Sequence, residues 1–227
     1  MPRRKIRFSL LFIFAVLFAC SFAYAIQLPK WFIFTTKDAL KEWEEKVFKG
    51  RVFYSVKVED KHGFLSAYSN NAASGILYRI NFDSRKNPLV SWKWKVAKFP
   101  DKNKANKDTG WIEKDDYAAR FYVIFPGFIF PFTKCIEYVW DRDIPAGTVL
   151  TNPYFHNLKI IVIESGVSSQ GRWVKEERNI REDFRKIFKA DSGKVGAIAV
   201  MTDTDNTSSI AEAYYDEIKV GYQNGKK

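Results

Sequence analysis

From Arg51 onward the side chains repeat with a period of two, and this constrains the fold more than any other feature. In LVSWKWKV, Val90, Trp92, Trp94 and Val96 point one way while Ser91, Lys93 and Lys95 point the other. Successive side chains of an extended strand alternate between faces, so such a segment reads as a strand with one apolar face. RVFYSVKV places Val52, Tyr54, Val56 and Val58 together. DYAARFYVIF sets Tyr117, Ala119, Phe121, Val123 and Phe125 against Asp116, Arg120 and Tyr122, which share their face with Ala118 and Ile124. Further strand segments are GFLSAYS, SGILYRINF, KCIEYVW, NLKIIVIES, GRWVKEERN, VGAIAVMT and AEAYYDEIKVGY. About ten strands separated by turn residues, with no helices alternating between them, predict an all-β fold: an antiparallel β-sandwich of jelly-roll type. Seven Trp and 20 Phe suit a thick aromatic core between two sheets.

Two segments break the alternation. TKDALKEWEEKVF has Leu40, Trp43 and Val47 at helical spacing behind Thr36, which predicts an opening helix. REDFRKIFKA, near residue 185, predicts a second, with Asn179 or Asp183 at its start.

The first 25 residues have the three-part layout of a secretory signal peptide: basic MPRRKIRFS, a 10-residue apolar run, then Ala23-Tyr24-Ala25. The apolar run is too short to span a bilayer comfortably. Cleavage is expected after Ala25, giving a periplasmic or secreted chain with one domain over residues 26–227. Leu17-Phe18-Ala19-Cys20 offers a lipoprotein alternative through acylation of Cys20, with the bulky Phe18 as its misfit. No later stretch approaches the length of a membrane-spanning helix. Cys135 then stands alone and is expected as a small buried hydrophobe.

Lys and Arg total 37 against 26 acidic residues. Four basic residues leave with the leader, so the excess falls from +11 to +7, spread along the chain. With no basic helix, nucleic acid is not an expected partner, and the surplus reads as a solubilising charge.

No HExxH, GxSxG, P-loop or GxGxxG signature is present, and His62 and His156 lie far apart in sequence. The polar candidates lie in five motifs: WKWKV at 92–96, DDYAARFYVIF at 115–125, EYVWD at 137–141, RNIREDF at 178–184 and AIAVMTDTDNTSSIAEAYYDEI at 197–218. In this order they resemble a family of uncharacterised bacterial exported proteins known only as domain of unknown function number three thousand and forty-seven. The resemblance implies a single exported domain and brings no activity, substrate or catalytic residue. It marks Asp115, Asp116, Arg120, Trp140, Asp183, Asp203, Asp205, Asn206 and Glu212 as ligand-binding candidates.

Each candidate has a structural reading beside the functional one. Arg120 is either a buried cation with an acidic partner or a ligand contact at a strand mouth. Asp183, near Arg178, Arg181 and Arg185, fits a helix cap or ion pair. In MTDTDNTSS, Asp203, Asp205 and Asn206 either structure a turn or offer hard oxygens to Ca²⁺. The EF-hand frame fails, because the sixth residue from Asp203 is Ser208 and the twelfth is Tyr214. A carboxylate pair for glycoside cleavage, with Asp116 or Glu212 as partner, is a third reading. The runs flanking this loop are expected to pair as strands. Trp92 and Trp94 read as core, and Trp111 as a sugar-stacking ring or a loop anchor. FPGFIFPF, residues 125–132, reads as a lid that buries Phe128 and Phe130, or else as an exposed docking surface.

The leading functional expectation is an exported sandwich that binds a carbohydrate or envelope glycan without catalysis, with no firm cofactor and Ca²⁺ as the candidate. The alternatives are a glycoside hydrolase or lyase of the same fold, and a structural envelope protein that docks to a partner.

Overall fold

The computed structural model describes residues 27–104, 115–152 and 154–223. The leader, its acylation alternative at Cys20, and Trp111 lie outside the described residues.

The alternating segments form two facing sheets. One contains β1 (Lys30–Phe32), β3 (Phe53–Glu59), β4 (His62–Asn70), β6 (Leu89–Lys98), β11 (Val174–Asn179) and β13 (Ile210–Tyr222). Its order is β11-β6-β13-β4-β3, with β1 paired to the last part of β13 beyond β4. The other contains β2 (Glu44–Lys49), β5 (Ala73–Asp83), β7 (Ala119–Phe125), β8 (Lys134–Asp141), β9 (Val149–Thr151), β10 (Leu158–Ser165) and β12 (Lys194–Asp203). Its order is β2-β5-β12-β7-β8-β10-β9. The molecule is a β-sandwich, as the period-two pattern predicts.

The apolar faces meet in the middle. Trp92 stacks on Phe121 across the sandwich, with centroids 4.2 Å apart and planes 13° apart, and Trp94 and Trp140 lie beside them. Burying an apolar side chain of this class contributes about 1.5–3 kcal/mol. The seven-stranded sheet also has an apolar outer face. Leu77, Tyr122, Ile124, Cys135, Val139 and Met201 pack there under Phe48, Phe130, Leu150 and Phe155. Cys135 is fully buried, as expected of a small hydrophobe.

Four expectations are corrected. The opening helix is one 3₁₀ turn, Lys37–Leu40, after which the chain enters β2. Thr36 makes no side-chain cap bond. Trp43 instead packs against Phe32 and Tyr78, and β2 pairs with β5, so tertiary contacts override helical spacing. Pairing is not uniformly antiparallel: β10 runs parallel to β8, because the chain loops out through β9 and returns in the same direction. VGAIAVM and AEAYYDEI do not pair along their length; β12 and β13 lie in opposite sheets, and the loop between them crosses the end of the sandwich. In FPGFIFPF Phe125 ends β7 in the core and Phe130 stacks on Phe155 at 5.3 Å, while Phe128 is 90% exposed and Phe132 66%.

The second helix forms as α1 (Ile180–Phe188). Asn179 caps it, its Oδ1 accepting from the Glu182 N–H at 3.2 Å, and Ile180 and Phe184 anchor it.

Candidate functional site

The loop after β12 brings the candidates together. Asp203 ends β12, and Asp115 and Asp116 lead into β7. Arg120 lies on the outer face of β7, opposite Met201 of β12 and Val139 of β8. Its guanidinium is almost fully buried and spends its donors on acids and a carbonyl. Nε and Nη2 donate to the two oxygens of Asp203, at 2.8 and 2.5 Å. Nη1 donates to Glu137 Oε1 at 2.8 Å and to the Tyr122 hydroxyl at 3.2 Å, and Nη2 also donates to the Asp115 carbonyl. This bidentate, charge-assisted clamp joins β7, β8 and β12. Burial raises the pKa of Asp203 and of Glu137, and Arg120 opposes the rise in both.

Asp116 has a different role. Its carboxylate accepts from the Asn206 and Thr207 N–H groups, at 3.3 and 2.7 Å, and from the Thr207 hydroxyl at 2.6 Å. It braces the crossover from outside. Thr204 closes the other side, bonding the Ala72 carbonyl through N–H at 3.0 Å and Ser69 through its hydroxyl at 2.8 Å. The Thr and Ser residues of DTDNTSS thus hold the turn, which leaves Asp205 and Asn206 half-buried over a recess.

That recess has a volume of about 20 Å³ and is lined by Asp115, Arg120, Glu137, Asn152, Asp203 and Asp205, among others. Two of its oxygens, Asp115 Oδ1 and Glu137 Oε2, are buried and accept no hydrogen bond among the described residues. Burial pushes the Asp115 carboxyl up to about 7, against the pull of Arg120. The volume admits one water molecule or one ion, and no sugar ring.

Three candidates lie elsewhere. Trp140 is fully buried in the inter-sheet core. Asp183 sits at the start of α1, in a bidentate pair with Arg178 at 2.9 and 2.6 Å and accepting from the Tyr138 hydroxyl at 2.8 Å. Glu212 is on the outer face of the other sheet, in an ion pair with Lys57 at 3.2 Å.

Around Glu212 the six-stranded sheet presents residues the motifs did not mark. Phe64 of β4 and Tyr214 of β13 meet at 5.1 Å, and Trp173, just before β11, meets Phe64 at 5.6 Å. Lys95 extends over all three rings, 4.7–5.4 Å from their centroids. Tyr68 pairs with both Glu212 and Phe53, and Phe53 is 68% exposed. The signal was present in GFLSAYS, where Phe64 and Tyr68 fall on the face opposite Leu65 and Ala67. His62 also faces solvent here: its Nε2 is 2.8 Å from the buried Asp216, so it is not isolated from acids. The adjacent Glu217 is taken by Lys93 at 2.5 Å.

Residues 41–219 match the family described as "Protein of unknown function (DUF3047)". The chain belongs to this family. Among curated proteins none matches it. Solved structures similar to it include the family 11 carbohydrate-binding module of the cellulosomal cellulase Lic26A-Cel5E of Clostridium thermocellum. That alignment has 13% identity and a TM-score of 0.43, covering 82% of this chain and 91% of the module. A thermostable cellulase derived from Cel12A of Rhodothermus marinus aligns at 9% identity and TM-score 0.47, over 85% and 95% of the two chains. The family 30 carbohydrate-binding module of C. thermocellum Cel9D-Cel44B aligns at 6% and 0.45, over 81% and 93%. Likeness at this level says nothing about the ligand of this DUF3047 chain.

Proposed function

We propose that this DUF3047 protein binds a glycan without cleaving it, on the outer face of its six-stranded sheet. One observation carries the reading: Trp173, Phe64, Tyr214, Tyr68 and Phe53 lie on one open sheet face, interleaved with Lys95, Lys57 and Glu212. A sugar ring has an apolar C–H face and a hydroxyl rim. Flat aromatic rings match the first, and charged hydrogen-bonding groups match the second. Phe64 is 1% exposed although it belongs to an outer face, because Trp173, Tyr214 and Lys95 roof it. The roof is therefore a rigid platform that needs little ordering on binding. From β11 to β3 there are four strand spacings, about 19 Å at the usual separation, a length suited to an oligosaccharide.

The buried acid cluster is not assigned to glycoside cleavage, since its recess is too small to admit a ring. Affinity electrophoresis against a polysaccharide panel tests the proposal. Trp173→Ala and Tyr214→Ala are expected to weaken retention at least tenfold with no release of reducing ends. Retention unchanged in both variants would reject the aromatic face, and steady product release would replace binding by hydrolysis.

A second, compatible reading concerns FPGFIFPF. Phe128, Ile129 and Phe132 are all exposed on one short loop. A patch of this kind supports docking to an apolar partner surface. Phe128→Ser with Phe132→Ser should then abolish partner recovery and leave glycan retention intact.

A further inference from the structure

We propose that the glycan held on the six-stranded sheet is anionic, and that the Lys95 ammonium, above Phe64, Trp173 and Tyr214, seats its carboxylate or sulfate group. This inference rests on the glycan-binding reading above and adds the chemical class of the ligand.

The acids around Lys95 are already taken. Glu212 accepts from the Lys57 ammonium at 3.2 Å and from the Tyr214 hydroxyl at 2.8 Å. Glu217 accepts from Lys93 at 2.5 Å, Glu177 accepts from the Tyr222 hydroxyl at 2.7 Å, and Asp216 lies 2.8 Å from His62 Nε2. Glu59 is exposed on β3, three strands from β6, or about 14 Å at the usual strand spacing. Among the described residues the Lys95 ammonium makes no ion pair and no hydrogen bond; its contacts are the three rings.

Its place on the platform gives that charge a consequence. Lys95 pairs with Tyr214 in the β6–β13 register, is half-buried, and lies 4.7 Å from the Tyr214 centroid, 5.1 Å from Trp173 and 5.4 Å from Phe64. Ring faces attract a cation but supply no counter-charge, and the ammonium keeps its donors for a ligand. The stem is laid along the rings, so little side-chain freedom is lost when the head is engaged. A sugar stacked on Trp173 or Tyr214 would cover this ammonium and strip its water. Under a neutral sugar the charge loses hydration without compensation; under an acidic one it gains an anion.

The same arrangement occurs a second time on this face. Lys219 of β13 lies over the Tyr222 and Trp31 rings, 4.0 and 4.7 Å from their centroids, and makes no ion pair among the described residues. It pairs with Ser91, four residues before Lys95 on β6, which is about 13 Å along the strand direction. Two ammonium groups bedded on aromatic rings suit a polymer that carries an anion on its repeating unit. The formal charge of the whole chain, +11, adds long-range attraction of the same sign.

The test measures binding of the full chain to matched polysaccharides at about 150 mM salt, where screening beyond about 8 Å suppresses diffuse attraction. Polygalacturonate and its fully methyl-esterified form share a backbone and differ in charge; dextran sulfate and dextran do the same for a sulfate. At least one charged member should bind about tenfold or more tightly than its neutral partner. Preference for polygalacturonate assigns a uronate, and preference for dextran sulfate alone assigns a sulfate ester. Lys95→Met keeps the stem over the rings, so it should fold with an unchanged Tm and bind the charged member no better than the neutral one. Lys95→Arg should restore the preference. Lys186→Met removes an equal charge from the hollow between the sheets and should change nothing. Equal affinity for both members of each pair would overturn the proposal. So would equal losses in Lys95→Met and Lys186→Met, which would mean attraction of any polyanion to a basic protein. If Trp173→Ala abolishes binding while Lys95→Met leaves it intact, the glycan face stands and the anion falls. Binding to none of the four polymers would reject the glycan face and this inference with it.

Discussion

Arg120 shows how one residue can be central to a fold without touching solvent. Its guanidinium ties three strands of one sheet through Asp203, Glu137 and the Asp115 carbonyl. Arg120→Met would keep the volume and strand two buried carboxylates. Removing one partner of such a network costs roughly 3–5 kcal/mol, because the charge left behind is uncompensated. Denaturant unfolding should show that loss as a lower midpoint. A midpoint shift too small to resolve would mean that the acids are neutral in the folded protein. Asp116 is equally local: the DDYAARFYVIF motif marked it as a ligand candidate, but its oxygens are spent on Asn206 and Thr207.

At the scale of elements, β11 is one edge of the six-stranded sheet, and it turns a carboxylate inward. Glu176 pairs with Trp92 in register and lies half-buried, facing the Trp94 indole. An inward charge on an edge strand discourages edge-to-edge association. Burial first, then the charge of Glu164 on β10, push its carboxyl up to about 7, while the Trp94 indole and Arg178 oppose the rise. Asp183 and Lys186 of α1 line the same hollow. A raised carboxyl pKa means that the folded state holds the proton more tightly than the unfolded chain. Its contribution is therefore complete below the ordinary glutamate range and is lost as pH climbs towards about 7. Glu176→Gln should lose that slope and gain stability relative to the parent at pH 8, read as Tm at pH 5 and pH 8. Parallel pH profiles for the two proteins would contradict the assignment. The β12–β13 crossover is the complementary case, a loop as rigid as the strands it joins. The amides of Thr204 and Thr207 are bonded to the Ala72 carbonyl and to Asp116, so their hydrogen exchange should be slow, near that of the core strands. Exchange at the rate of a free loop would mean that the Asp116 brace does not persist in solution.

Across the whole molecule, what the sequence determined is the alternation. Val90, Trp92, Trp94 and Val96 lie buried on one side of β6, with Lys93 and Lys95 on the other, because an extended backbone leaves no other arrangement. The same logic placed Arg120 and Tyr122 on one face and Phe121 and Val123 on the other. What only the tertiary structure decided is which strand lies beside which. VGAIAVM and AEAYYDEI are consecutive strands in different sheets, and β8 and β10 run parallel, since pairing depends on partners far along the chain. TKDALKEWEEKVF has helical spacing, yet it forms a strand because β5 offers Glu44–Lys49 a ladder and Trp43 a pocket. Glu137 escaped notice for the same reason. In KCIEYVW it is one polar residue among apolar ones, and only packing β7, β8 and β12 side by side sets it against Arg120. A local pattern fixes which face a side chain takes, but long-range pairing fixes what it meets there.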